Sequence, residues 1–150
     1  MTPESQVMRF IKSFFEYDPG IYLTRRNAGV ITKGNRHIKL GEVGESDYFG
    51  VIDKTFCPEC GKQTGAGTAL FIEAKSAKGR LTEQQREFIG RMRRLGAVAI
   101  VAKPVPDQHD PTGFCALRRQ LSAIRQRACA DCRMTTKEQK KEIEDNGAGK

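Results

Sequence analysis

Apolar residues at Val7, Phe10, Ile11 and Phe14 fall at i, i+3, i+4 and i+7, the spacing of one helical face, and predict a helix over residues 3–17. Thr2 suits its N-cap, Pro3 its first position, and Asp18-Pro19-Gly20 supplies turn residues to end it. Four short apolar runs follow at 21–24, 30–32, 38–40 and 48–52, separated by turns containing Asn and Gly, and each reads as a strand. Residues 69–75, ALFIEAK, form the strongest strand in the middle of the chain. Phe88, Ile89, Met92 and Leu95 mark the buried side of a helix over 82–95. AVAIVA at 97–102 is short, apolar and bounded by turn signals, so it reads as a fully buried strand. Phe114, Leu117, Leu121 and Ile124 make the stripe of a last helix over about 114–124.

The order helix, several strands, helix, strand, helix predicts an α/β (α+β) fold, a mixed central sheet flanked by helices. A chain of 150 residues suits one domain and leaves no room for two well-cored ones. That domain is expected over 1–133, with a Cys-containing loop inserted at about 53–68, and the charged stretch 134–150 as a flexible tail. No apolar run approaches the roughly 18 residues a membrane span needs, and MTPESQVMRF lacks the pattern of a secretory signal. These features read as a cytoplasmic protein with no membrane partner. Its net charge of +8, from 26 Lys and Arg against 18 Asp and Glu, favours polyanionic partners.

The candidate chemistry lies on the fourth and fifth strands. Strand side chains alternate, so Glu73 and Lys75 share one face while Ile72 and Ala74 take the other. An exposed Glu–Lys pair is the bland explanation, and such pairs are common. However, Leu70, Phe71 and Ile72 lead straight into Glu73, and a carboxylate within a central strand is costly unless paired or neutralised by a metal. With Asp47 at the start of a neighbouring strand, two carboxylates converge. That suits Mg²⁺, which uses one or two carboxylates and keeps several waters. A lysine beside them can hold or help deprotonate a water for attack on phosphorus.

Gly44-Glu45-Ser46-Asp47, then Ile72-Glu73-Ala74-Lys75, then Gly79-Arg80-Leu81-Thr82-Glu83-Gln84-Gln85 and Gly96-Ala97 form an ordered set. This set resembles the VRR-NUC nucleases of the PD-(D/E)XK, restriction-endonuclease-like superfamily. Arg26-Asn27-Ala28-Gly29 resembles the family's R-N-x-G segment, and the likeness covers roughly residues 20–103. The resemblance implies a restriction-endonuclease-like core and a DNA phosphodiester hydrolase using Mg²⁺ or Mn²⁺. It implies that Asp47, Glu73 and the backbone carbonyl of Ala74 hold the metal, and that Lys75 acts on the attacking water or the transition state. Gln85 falls at the family's helix glutamine, although Thr82-x-x-Gln85 equally satisfies a capping box. An acidic residue early in the first helix is a further family feature, with Glu4 the first candidate and Glu16 the second. A domain of this size can pair with a second copy to address both strands of a duplex.

The chain departs from the family pattern at DKTFCPECGKQTGAGT, where many relatives have a short turn. Cys57-Pro58-Glu59-Cys60-Gly61 looks like a zinc knuckle, and Cys129-Ala130-Asp131-Cys132 offers a second half. Together Cys57, Cys60, Cys129 and Cys132 could close a tetrahedral structural zinc site if the C-terminal segment folds back. Two pairs of reduced thiols are the alternative, and Cys115 stands outside both. Lys78, Arg80, Arg86, Arg91, Arg93 and Arg94 cluster around the helix after Lys75, and Arg118, Arg119, Arg125 and Arg127 mark the last one. Most suit solvated helix faces, with some left to track a phosphate backbone. His37 and His109 have no partners at ligand spacing. The sequence thus points to a nuclease, with a non-catalytic, zinc-stapled nucleic-acid-binding module as the rival.

Overall fold

Thr2 takes an extended conformation and its side chain accepts from the Ser5 amide at 3.2 Å, opening helix α1 (Pro3–Phe15) with Pro3 in the first turn. The structure is a computed structural model and describes residues 2–26, 29–42, 44–53, 65 and 67–125. The four cysteines of the zinc reading, most of the 53–68 insertion and the 134–150 tail lie outside these residues.

Strands β1 (Ile21–Arg25), β4 (Tyr48–Asp53), β5 (Gly67–Ala74) and β6 (Val98–Ala102) form one sheet in the order β1-β4-β5-β6. The first three strands run antiparallel, and β6 lies parallel to β5. A parallel neighbour requires a crossover, which α2 (Glu83–Arg94) supplies. Strands β2 (Gly29–Lys33) and β3 (Arg36–Leu40) pair, among the described residues, only with each other, as a separate hairpin between β1 and β4 in the chain. Helix α3 (Phe114–Arg125) completes the described chain. The result is a mixed four-stranded sheet flanked by helices, the α/β arrangement that the element order predicts.

The two faces of the sheet have different roles. Leu70, Ile72 and Ala74 of β5 join Val7, Ile11 and Phe15 of α1 and Leu117 and Leu121 of α3 in one buried cluster. The opposite face carries Phe71, which meets Phe49 on β4 and Phe88 on α2 with ring centroids 5.3 Å apart in each pair. Tyr48 crosses between layers, donating from its hydroxyl to the Met8 carbonyl at 2.7 Å.

Three expectations need correction. β6 is an edge strand, so Ala99 and Ala102 are buried while Val98, Ile100 and Val101 are only half-buried. Apolarity alone cannot distinguish an edge partner of a central strand from a strand covered on both faces. Leu95 is 72% exposed, because α2 ends there and the chain turns at Gly96 into β6. α1 ends at Phe15 and buries that residue, which lies outside the stripe read from Val7 to Phe14. No helix among the described residues is long and apolar enough to cross a membrane.

Candidate active site

Register brings the two carboxylates together. Tyr48 pairs with Ile72 in the antiparallel β4–β5 ladder, so the next pair outward sets Asp47 across from Glu73. Asp47 Oδ2 accepts from the Ala74 amide at 2.8 Å, which ties the carboxylate to the end of β5. From the other side, Arg26 donates its backbone N–H to the Asp47 carbonyl at 2.7 Å. The Arg26 guanidinium reaches both oxygens of Glu45 at 3.2 Å and lies over the Phe49 ring. Gly44 needs its lack of a side chain: its φ is +91°, and a Cβ there would come within 2.7 Å of Gln84 on α2. The Gly44–Asp47 segment is therefore pressed against α2 on one side and bonded to β5 on the other.

Glu73 is 1% exposed and Lys75 8%, which rules out an ordinary solvated pair. The Lys75 ammonium donates to Glu73 Oε1 at 2.5 Å. Gln85 Nε2 donates to the same oxygen, also at 2.5 Å. The side-chain oxygen of Gln85 accepts from the Thr82 backbone N–H at 3.0 Å, while the Thr82 hydroxyl accepts from the Gln85 backbone N–H, so the capping box and the Glu73 contact coexist in one side chain.

Glu73 Oε1 thus holds two donors, and Oε2 is buried with no hydrogen-bond partner among the described residues. Buried polar atoms are nearly always paired, and half of a buried carboxylate left bare costs on the order of 1–3 kcal/mol or more. The Glu73 pKa is raised accordingly. Burial is the main cause and the Asp47 carboxylate adds to it, against the pull of Lys75 and a smaller one from the Asp47 amide. A divalent cation at Oε2 would satisfy the orphaned atom and relieve the repulsion between the carboxylates. The residues present therefore fit such an ion.

Among the described residues no group of three or more His, Cys, Asp or Glu converges. Mg²⁺ does not require one, since it is commonly held by one or two carboxylates and waters. Glu4 is consequently not gathered with Asp47 and Glu73. It lines a small cleft with Ser76, because α1 covers the Ile72–Ala74 face and Glu73 projects from the other. Glu16 lies at the far end of α1.

Sequence reasoning missed two residues beside the site. Lys103 directly follows β6, as Lys75 follows β5, and its ammonium donates to the Gly79 carbonyl at 2.9 Å, holding the loop that leaves Lys75. A lysine at the end of each of two parallel strands was the available signal. Ser46, next to Asp47, is buried with its hydroxyl unpartnered among the described residues, and no spacing rule points to it. Two of the basic residues on the helices make contacts within the protein. Arg93 donates to the Ala99 carbonyl at 2.7 Å, and Arg118 lies over the Phe10 ring. Compared with protein-family models, curated proteins and solved structures, the chain matches none.

Proposed function

We propose that this chain is a metal-dependent nuclease with a restriction-endonuclease-like core, hydrolysing DNA phosphodiester bonds at Asp47, Glu73 and Lys75. The observation that carries the reading is the buried Glu73 carboxylate, with one oxygen held by Lys75 and Gln85 and the other bare beside Asp47. The order helix, three antiparallel strands, helix, parallel strand supports it, as does the ordered motif set on those strands.

Asp47, Glu73 and the Ala74 backbone carbonyl would hold Mg²⁺ or Mn²⁺. Such an ion, when bound, supplies Lewis-acid stabilisation of charge on the phosphate oxygens and lowers the pKa of water. Lys75 places a compact cation beside the reacting phosphate, to orient the attacking water and offset the negative charge that develops. Gln85 fixes the rotamer of Glu73 through Oε1 and leaves Oε2 facing the site. The Ala74 amide orients Asp47 in the same way. The basic balance of the chain favours the approach of a polyanion.

The test is incubation of purified protein with labelled single-stranded, duplex and branched DNA in Mg²⁺ or Mn²⁺, with and without chelator. Cleavage abolished by the chelator and by Asp47→Asn supports the proposal. Binding without cleavage of any substrate would leave the rival binding module standing.

A further inference from the structure

Away from the carboxylates, a groove of about 770 Å³ lies between α1 and β1, the end strand of the sheet among the described residues. Arg9 and Lys12 line it from the helix and Arg25 from the strand, all three exposed, with Glu16 the opposing carboxylate at its far end. Met8 and Tyr48 give it an apolar floor. Tyr48 follows Asp47 on β4 but turns to the α1 face of the sheet, and Met8 also lines a small cleft with Ser76, so the groove lies across the sheet from Glu73, at the same end.

We propose, building on the nuclease reading above, that this groove holds a single-stranded segment of the substrate away from the cut. Three cations over an apolar floor match a strand that presents phosphates to the walls and sugars and bases to the floor. The 13 residues of α1 give it a length of about 20 Å at 1.5 Å per residue, room for roughly six stacked nucleotides at ~3.4 Å each. The partner is thus the single-stranded part of a nucleic acid, and the site should discriminate by strandedness more than by base sequence.

The test compares the full chain with the triple variant Arg9→Ser, Lys12→Ser, Arg25→Ser by fluorescence anisotropy without divalent cation, across a range of salt. The probes are a blunt DNA duplex and the same duplex with a single-stranded extension of about six nucleotides. The native chain is expected to prefer the extended DNA by about tenfold, and the variant to lose that preference. The salt slope on extended DNA should fall by about 2, at about 0.7 per phosphate contact on a single strand, with blunt-duplex affinity changed less than about twofold. An unchanged thermal midpoint establishes that the variant is folded. No preference in the native chain, or an equal loss on both probes, overturns the proposal. Cleavage in Mg²⁺ is scored separately: preference without cleavage defeats the nuclease reading and leaves the groove, whereas cleavage without preference defeats the groove alone.

Discussion

The two oxygens of Glu73 have different surroundings, and that difference sets what each substitution should do. Glu73→Ala would leave the buried Lys75 ammonium unpaired, a loss on the order of 3–5 kcal/mol that would confuse catalysis with folding. Glu73→Gln and Asp47→Asn keep shape and remove charge, so they isolate the metal-holding role. Either is expected to lower cleavage by roughly a thousandfold or more, the rate equivalent of several kcal/mol of Lewis-acid stabilisation, while DNA binding persists. Wild-type-like turnover in either variant would remove that carboxylate from the site. Glu73 also predicts a pH dependence. Its raised pKa, caused chiefly by burial, means that the folded metal-free protein keeps this proton to higher pH than the unfolded chain does. Stability of the metal-free protein should therefore fall as pH rises from the ordinary glutamate range through the raised value. Added Mg²⁺ should offset that fall and Glu73→Gln should flatten it, both readable from urea unfolding at a series of pH values.

At the scale of elements, α1 and α3 hold the sheet from the face opposite the site. Leu121 is fully buried there, and Leu121→Ala is expected to cost about 2–5 kcal/mol by chemical denaturation. Tyr48→Phe removes one hydrogen bond to α1 and is expected to cost about 1 kcal/mol, small enough to leave the fold intact. Asp110 accepts from the Cys115 and Thr112 amides at the start of α3, and its hydrogen bonds, led by the Thr112 hydroxyl, lower its pKa to about 2. Asp110→Ala should lower the thermal midpoint at neutral pH, and its difference from the native chain should shrink as pH falls from the ordinary aspartate range through about 2. The elements themselves were legible in the sequence, because caps, turn residues and two distinct periodicities mark them independently. Strand order was not, so AVAIVA looked buried when it is an edge. The Asp47–Glu73 pairing could be anticipated from motif order, but its register belongs to the ladder. Lys103 escaped because its role arises only when distant segments meet.

For the whole molecule, the fold gathers the motif residues at one end of the sheet, where β1, β5 and β6 finish and β4 begins. Arg26, Asp47, Glu73, Lys75 and Lys103 all lie there. The cysteine pairs add a separate expectation. Purified protein should carry about one zinc per chain, lost in Cys57→Ser and retained in Cys115→Ser, by elemental analysis. The central claim is more directly tested at Lys75, because a dead relative could keep a cation between two carboxylates without cutting. The decisive measurement is single-turnover cleavage at saturating DNA and Mg²⁺, comparing the native chain with Lys75→Gln and Lys75→Arg. A centre working as proposed cuts in the native chain and slows severely in Lys75→Gln, with poor rescue by arginine, whose planar fork does not replace a compact point charge. A rate in Lys75→Gln equal to that of the native chain, with only affinity reduced, would make Lys75 a phosphate contact and contradict the account.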